Sequence, residues 1–427
     1  MRRSRVLLAT GAALALAACT GGSDPDPAQD PAGSSASAPA AADEGGDDEE
    51  PATTAEATEA PADDADDATA QDTGDTPSAA ATIPALDVEV VMEGLDIPWD
   101  VQPLPDGTVL VTERGGRLLA HEDGQTREVA IDIPDLFVGS ESGLMGMALS
   151  PDVAQDGTIY LCHATAEGGA PADLRVTRWV LDEEVSTAEM DGVVVADLPI
   201  TSGRHGGCRL LLHEDVLYVG TGDAADEANP QSLDSLGGKV LALDPDGGPV
   251  AEAPFVDGDP RILTYGHRNV QGLAVQPGSG DATLWSVEHG SDRDDEVNVL
   301  EPGANYGWDP GPGYDESVPM TDLEAFPDAV EAAWSSGEPT HATSGAVFLE
   351  GEQWGAWDGG LAVAELRGTG VTVFTVDGEQ VTDEQRMAEL DGSHGRLRSL
   401  TLDAEGVLWV TTSNGGTDQV LKVTPQG

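Results

Sequence analysis

Residues 143–164 read GLMGMALSPDVAQDGTIYLCHA: an apolar run, a polar turn built on Pro, Asp and Gly, then a second run led by β-branched and aromatic residues. The same unit returns five more times. It is WDVQPLPDGTVLVTER from Trp99, CRLLLHEDVLYVGTGD from Cys208 and GLAVQPGSGDATLWSVEHG from Gly272. It recurs as SGAVFLEGEQWGAWDGGLAVAEL from Ser344, the most degenerate copy, and as LRSLTLDAEGVLWVTTSNG from Leu397. Equivalent positions (Leu110, Tyr160, Tyr218, Trp285, Ala362, Trp409) lie 47 to 77 residues apart. Further apolar runs follow the pair in several units, such as Arg175 to Leu181, Lys239 to Asp244 and Val371 to Val376. A unit of three or four antiparallel strands cannot bury both faces alone, so its copies stack radially. The repeat therefore predicts an all-β chain, a six-bladed β-propeller over residues 85–427. A two-sheet sandwich leaves the recurrence unexplained.

The residues before the propeller have a different composition. Arg2, Arg3 and Arg5 precede an apolar run from Val6 to Ala18, too short to span a bilayer. Residues 1–18 read as a lipoprotein signal peptide, because Leu16-Ala17-Ala18-Cys19 is similar to the bacterial lipobox. On that reading Cys19 is lipidated and becomes the first mature residue; the alternative is an ordinary cleavage site beside a stray Cys. Residues 20–80 contain no aromatic residue, no Lys and no Arg. Such a segment cannot bury enough apolar surface to offset its ordering entropy. Residues 19–84 are thus expected to be a lipid anchor and disordered acidic tether, self-repelling and extended. The expected location is extracytoplasmic, on a bacterial cell membrane.

The formal net charge is −60, and residues 20–80 hold 17 of the 79 acidic residues. The propeller itself is strongly acidic, which argues against nucleic acid as a partner. The three cysteines are Cys19, Cys162 and Cys208. With Cys19 lipidated, Cys162 and Cys208 are left either as a disulfide or as two buried thiols.

Propellers bind ligands at one mouth of the channel, on loops joined to the innermost strands. Ionisable residues at the start of each unit's first strand are accordingly the candidates. These are Glu141 in SESGLMG, His205 in SGRHGGCRL, Arg268 and Asn269 in YGHRNVQGLA, and Arg396 and Arg398 in GRLRSL. Only 19 residues in the chain are basic, so several Arg at equivalent repeat positions imply an anionic ligand at one rim. The bland alternative for any single Arg is an ion pair between blades. EHGSDRDDEVNVLEPGANYGWD, residues 288–309, supplies turn carbonyls and carboxylates, the donors a hard cation such as calcium takes. No GxGxxG follows a strand and opens a helix, so a nicotinamide cofactor is not supported.

In order along residues 97–423, HGGCRL, YGHRNVQGLA, EHGSDRDDEVNVLEPGANYGW, SGAVF and GRLRSL resemble the soluble glucose/aldose sugar and sorbosone dehydrogenases. That resemblance implies a six-bladed propeller that oxidises a sugar with pyrroloquinoline quinone (PQQ), which carries three carboxylates, and calcium. By position, His205 matches the base and Arg268 the Arg beside the quinone oxygen. Asn269, Arg396 and Arg398 match cofactor anchors. The carbonyls of Gly290 and Ser291 match the calcium ligands, with Asp295 standing behind them. Four departures accompany the match. Glu141 replaces a Gln and is expected to be protonated or bridged by calcium beside a carboxylate cofactor. Arg367 replaces a cofactor-binding Lys, Ser291 a Pro, and Arg204 the Asp of glucose-oxidising members, which puts glucose itself in doubt. The electron acceptor is not legible, and neither is the sugar, whose specificity lies in loops such as 251–260 and 310–338. Two other readings compete: a calcium-dependent propeller lactonase or hydrolase, and a cell-surface binding module without cofactor.

Overall fold

Six sheets of four antiparallel strands each are arranged in sequence around one axis. The computed structural model describes residues 82–250, 254–278 and 282–426; the signal, Cys19 and nearly all of the tether segment lie outside the described residues. Each repeat unit recognised in the sequence supplies the two innermost strands of one blade. The inner strands are Pro98–Pro103, Leu144–Leu149, Gly207–His213, Val270–Gln276, Thr343–Phe348 and Leu397–Leu402. The fold is the six-bladed all-β propeller that the repeat predicts.

Strand order runs outward from the channel in blades 1 to 5. Blade 6 breaks that rule: its outermost strand is Leu86–Leu95, from the opposite end of the chain, paired antiparallel with Asp418–Pro425. The ring is thus closed by hydrogen bonds between its two ends. The degenerate fifth unit has a physical cause as well. A 3-10 segment, Glu352–Trp357, is inserted between its first two strands and buries Trp354 and Trp357.

Cores lie between neighbouring sheets, as a stack of two-faced blades requires. One cluster joins Trp99 to Tyr160, Cys208, Leu217 and Leu241; another joins Leu86 to Trp354, Val410 and Leu421. Cys162 and Cys208 form a disulfide with their Cα atoms 5.7 Å apart, linking the second strand of blade 2 to the inner strand of blade 3.

Every inner strand carries a register shift within its first few residues. The shifts fall at Pro98/Asp100, Leu144/Met147, Gly207/Arg209, Val270/Gly272, Thr343/Ala346 and Leu397/Leu400. A β-bulge adds twist and re-aims the side chains next to it. Repeated six times at one end of the ring, it turns the residues just before each inner strand toward the axis.

Candidate active site

The rim wall of blade 3 is built around His205. Its backbone is left-handed (φ 51°), a conformation that costs a non-glycine residue roughly 1–3 kcal/mol and that persists only where surroundings enforce it. Gly222 is part of that enforcement, because a Cβ there would collide with the His205 carbonyl. The buried imidazole places Nδ1 2.9 Å from Asp223 Oδ1 and 2.8 Å from the Tyr314 hydroxyl. Asp223 also accepts from Trp308 Nε1, the Tyr314 hydroxyl and the Ala225 N–H, each at 2.8 Å. An acceptor so placed fixes the proton on Nδ1 and leaves the basic lone pair on Nε2.

Arg268 forms the adjoining wall. Its backbone N–H donates to Glu288 Oε2 (2.9 Å), a carboxylate that also meets His267 Nδ1. Its guanidinium donates to the His289 carbonyl at 2.8 Å and to Glu316 Oε1 at 2.6 Å, and lies 5.7 Å from the Trp308 ring. Arg268 Nε is buried with no hydrogen-bond partner among the described residues. Asn269 Oδ1 accepts from the Gly207 N–H and from Gln271 Nε2, both at 3.1 Å, so this side chain ties blade 4 to blade 3.

Opposite, Arg398 reaches Ser413 Oγ (3.2 Å) and Gln271 Oε1 (3.4 Å) and lies 5.5 Å from the Trp99 ring. Arg209 also stands 4.4 Å from that indole, paired with Asp100 Oδ2 at 3.0 Å and hydrogen-bonded to the Gln271 carbonyl at 2.7 Å. Ser399 and the Met147 N–H complete the Asp100 carboxylate, so blades 1, 2, 3, 4 and 6 meet in one buried polar floor. Burial, then Arg396, push the Arg398 guanidinium down to about 9, with Arg209 and Arg114 adding to the effect. Cations crowded together call for an anion.

The structure brings Glu141 into the same group: its Oε2 accepts the His205 N–H at 3.1 Å. Burial would raise its pKa, but His205, His289 and Arg268 outweigh burial and hold the carboxyl below its ordinary range. Arg367 belongs to blade 5. It sits exposed after the strand Leu361–Glu365, its N–H donating to the His341 carbonyl at 2.9 Å.

The loop proposed for calcium is held from behind by Asp295. Asp295 is fully buried, and its carboxylate accepts from the Gly290 N–H (2.8 Å), the Thr340 hydroxyl (2.8 Å), the His341 N–H (2.6 Å) and the Ala342 N–H (3.0 Å). Its carboxylate thereby shapes the turn that carries Gly290 and Ser291. The Gly290 carbonyl accepts from His289 Nδ1 at 2.6 Å, and the Ser291 hydroxyl lies 3.4 Å from Asp292 Oδ1. Among the described residues no three His, Cys, Asp or Glu side chains cluster to hold a metal, so a cation here depends on backbone oxygens.

With this arrangement in view, the sequence profile of the glucose/sorbosone dehydrogenases matches residues 95–422. The chain belongs to the glucose/sorbosone dehydrogenase family. It is 29% identical over 362 residues to an aldose sugar dehydrogenase of Escherichia coli, covering 82% of this chain and 95% of that one. The apo crystal structure of the soluble E. coli aldose sugar dehydrogenase superposes with a TM-score of 0.72 at 28% identity, over 80% of this chain and all of the other. A PQQ-bound aldose sugar dehydrogenase from Streptomyces coelicolor superposes with a TM-score of 0.67 at 31% identity, over 81% of this chain and all of the other. Membership makes the protein an enzyme, an oxidoreductase of the sugar dehydrogenase class.

Four residues of this family member's site escaped the sequence reading. Asp223 follows the second strand of the third unit by two residues, in GTGD, and that shared position was the available signal. Trp308, Tyr314 and Glu316 arrive on a long connection within blade 4 that has no counterpart in the repeat.

Proposed function

We propose that this protein oxidises an aldose or a related polyol with PQQ, held together with calcium at the Arg-rich rim. One observation carries the reading: the His205 imidazole, held through Nδ1 by the buried Asp223 carboxylate, shares one rim with the arginines Arg268, Arg396 and Arg398. The residues suit the cofactor's chemistry. Arg396, Arg398 and Asn269 would hold its carboxylates, and the orphaned Nε of Arg268 is a donor awaiting an acceptor. Carbonyl oxygens of Gly290 and Ser291 would take the calcium ion. When bound, PQQ supplies the acceptor for a hydride leaving the sugar carbon.

The chain's own groups do the rest. His205 Nε2 takes the proton of the substrate hydroxyl, and Asp223 stabilises the imidazolium that forms. Arg268 presents fixed positive charge where negative charge develops. Trp308 and Tyr314 hold Asp223 and exclude water from it. A lactonase would need channel carboxylates free to ligate, whereas Asp100 is committed to Arg209, Ser399 and the Met147 N–H.

Reconstitution is the test. The full-length protein is titrated with PQQ and calcium, followed by its visible spectrum, then assayed with a redox dye and a panel of aldoses and polyols. Saturable binding, dye reduction, and loss of both on chelation with recovery on adding calcium are expected. Activity that withstands prolonged chelation would remove calcium from the proposal, and absence of PQQ binding would remove the proposal itself.

A further inference from the structure

Residues 309–317 drape over the site as a fastened strap. Glu227 Oε2 accepts the N–H groups of Gly313 and Tyr314, the latter at 2.9 Å, and Arg293 Nη2 donates to the Ser317 carbonyl at 2.7 Å. Between these ties the strap delivers Tyr314 to His205 and Asp223, and it delivers Glu316 to two arginines. Arg204 Nη2 meets both Glu316 oxygens, at 2.7 and 2.9 Å, while Arg268 Nη2 meets Oε1 at 2.6 Å. The side chains of Arg204 and Glu316 are 41% and 31% exposed, so the pair faces the opening, one residue from His205 along the chain.

We infer that Glu316 is a built-in counter-anion that occupies the Nη2 donors of Arg204 and Arg268, leaving Arg268 Nε to the site, and so keeps acidic sugars, including the enzyme's own hydrolysed product, out of the mouth. The inference rests on the sugar-oxidising reading above. Two guanidinium groups converging on one point are a receptor for a carboxylate. Without Glu316 that receptor would stand open beside the base. Oxidation at C1 of an aldose removes the C1–H and O–H hydrogens with two electrons, which pass to the cofactor, and leaves a neutral lactone. Water then opens the lactone to an aldonate and a proton, so turnover generates a carboxylate next to an Arg-rich rim. A carboxylate already in place denies it the site, while a neutral aldose is not penalised by charge. Attraction to both guanidinium groups outweighs the burial that would raise Glu316, and holds it down at about 2, so the screen is present at every working pH.

The experiment is isothermal titration of the full-length protein, with and without PQQ and calcium, using gluconate, galacturonate and glucose as probes at low ionic strength. Glu316→Gln should bind gluconate and galacturonate at least ten-fold more tightly than wild type, with a smaller change for glucose. The gain should vanish in Glu316→Gln/Arg204→Ala, which locates it at the mouth. Equal affinity for the acids in wild type and Glu316→Gln would overturn the inference, and so would a gain that persists without Arg204. Thermal melts identify a variant that fails to fold; Glu316→Ala then replaces Glu316→Gln in the same comparison. Failure of wild type to bind PQQ would strike the proposed function, whereas the charge screen is judged on the acid titrations of the cofactor-free chain.

Discussion

His205 concentrates the chemistry of the site in a single strained residue. Its left-handed backbone, the Asp223 carboxylate and the Tyr314 hydroxyl fix one nitrogen and leave the other for the substrate. Positioned general bases contribute ~10²–10⁴-fold to rate. His205→Ala should lower turnover at saturating sugar by that order while PQQ binding persists, measured by dye reduction and by spectral titration. Near-normal turnover would remove the mechanism, and lost PQQ binding would recast His205 as structural. His163, on the second strand of blade 2, makes a separate prediction. Burial pushes its imidazole down to about 4 from an ordinary 6.5, and Arg175 adds to the effect. A base with a depressed folded pKa stabilises the fold above the unfolded value, and that stability is lost as pH falls from 6.5 through 4. The span corresponds to ~3 kcal/mol. Thermal melts from pH 7 to pH 4 should fall less steeply for His163→Phe than for wild type; parallel curves would refute the assignment. At this scale the sequence revealed the residues that border inner strands: His205, Arg268, Asn269, Arg398. Asp223, Tyr314 and Glu316 stayed hidden, since long-range folding alone brings a strand end and an aperiodic strap onto the same imidazole.

Among elements, the six bulges account for the convergence that the repeat only suggested. Equivalent positions before each inner strand point to one axis because each strand kinks at the same level. The closing strand Leu86–Leu95 was not legible as part of a blade, because it belongs to no repeat unit and pairs with residues 418–425 at the far end of the chain. Its importance is physical: Leu86, Met92 and Leu95 are buried, and each contributes ~1.5–3 kcal/mol of apolar burial. Without it Asp418–Pro425 becomes an open edge, a template for pairing with another chain. A variant lacking residues 82–95 should therefore aggregate or melt at least 10 °C lower, by light scattering and calorimetry. An unchanged melting temperature would show that the ring does not depend on its own closure.

For the whole molecule, the acidic N-terminal segment and the propeller obey different physics. The propeller buries Trp, Leu and Val between sheets, whereas residues 20–80 have nothing comparable to bury. We propose that Cys19 carries the lipid and that the segment after it is a spacer on the outer side of a bacterial membrane. Two or more acyl chains, as a lipoprotein Cys would bear, give stable anchoring, whereas one gives only reversible binding. Two variants separate anchor from spacer. Cys19→Ala should move the protein from the membrane fraction to the soluble fraction with its sugar oxidation unchanged. Deletion of residues 20–80 should leave the protein in the membrane fraction, with its melting temperature and activity those of the full chain. Wild type that is already soluble without detergent would overturn the anchor. A substantial loss of stability on deleting 20–80 would mean that the segment packs on the propeller, against its composition.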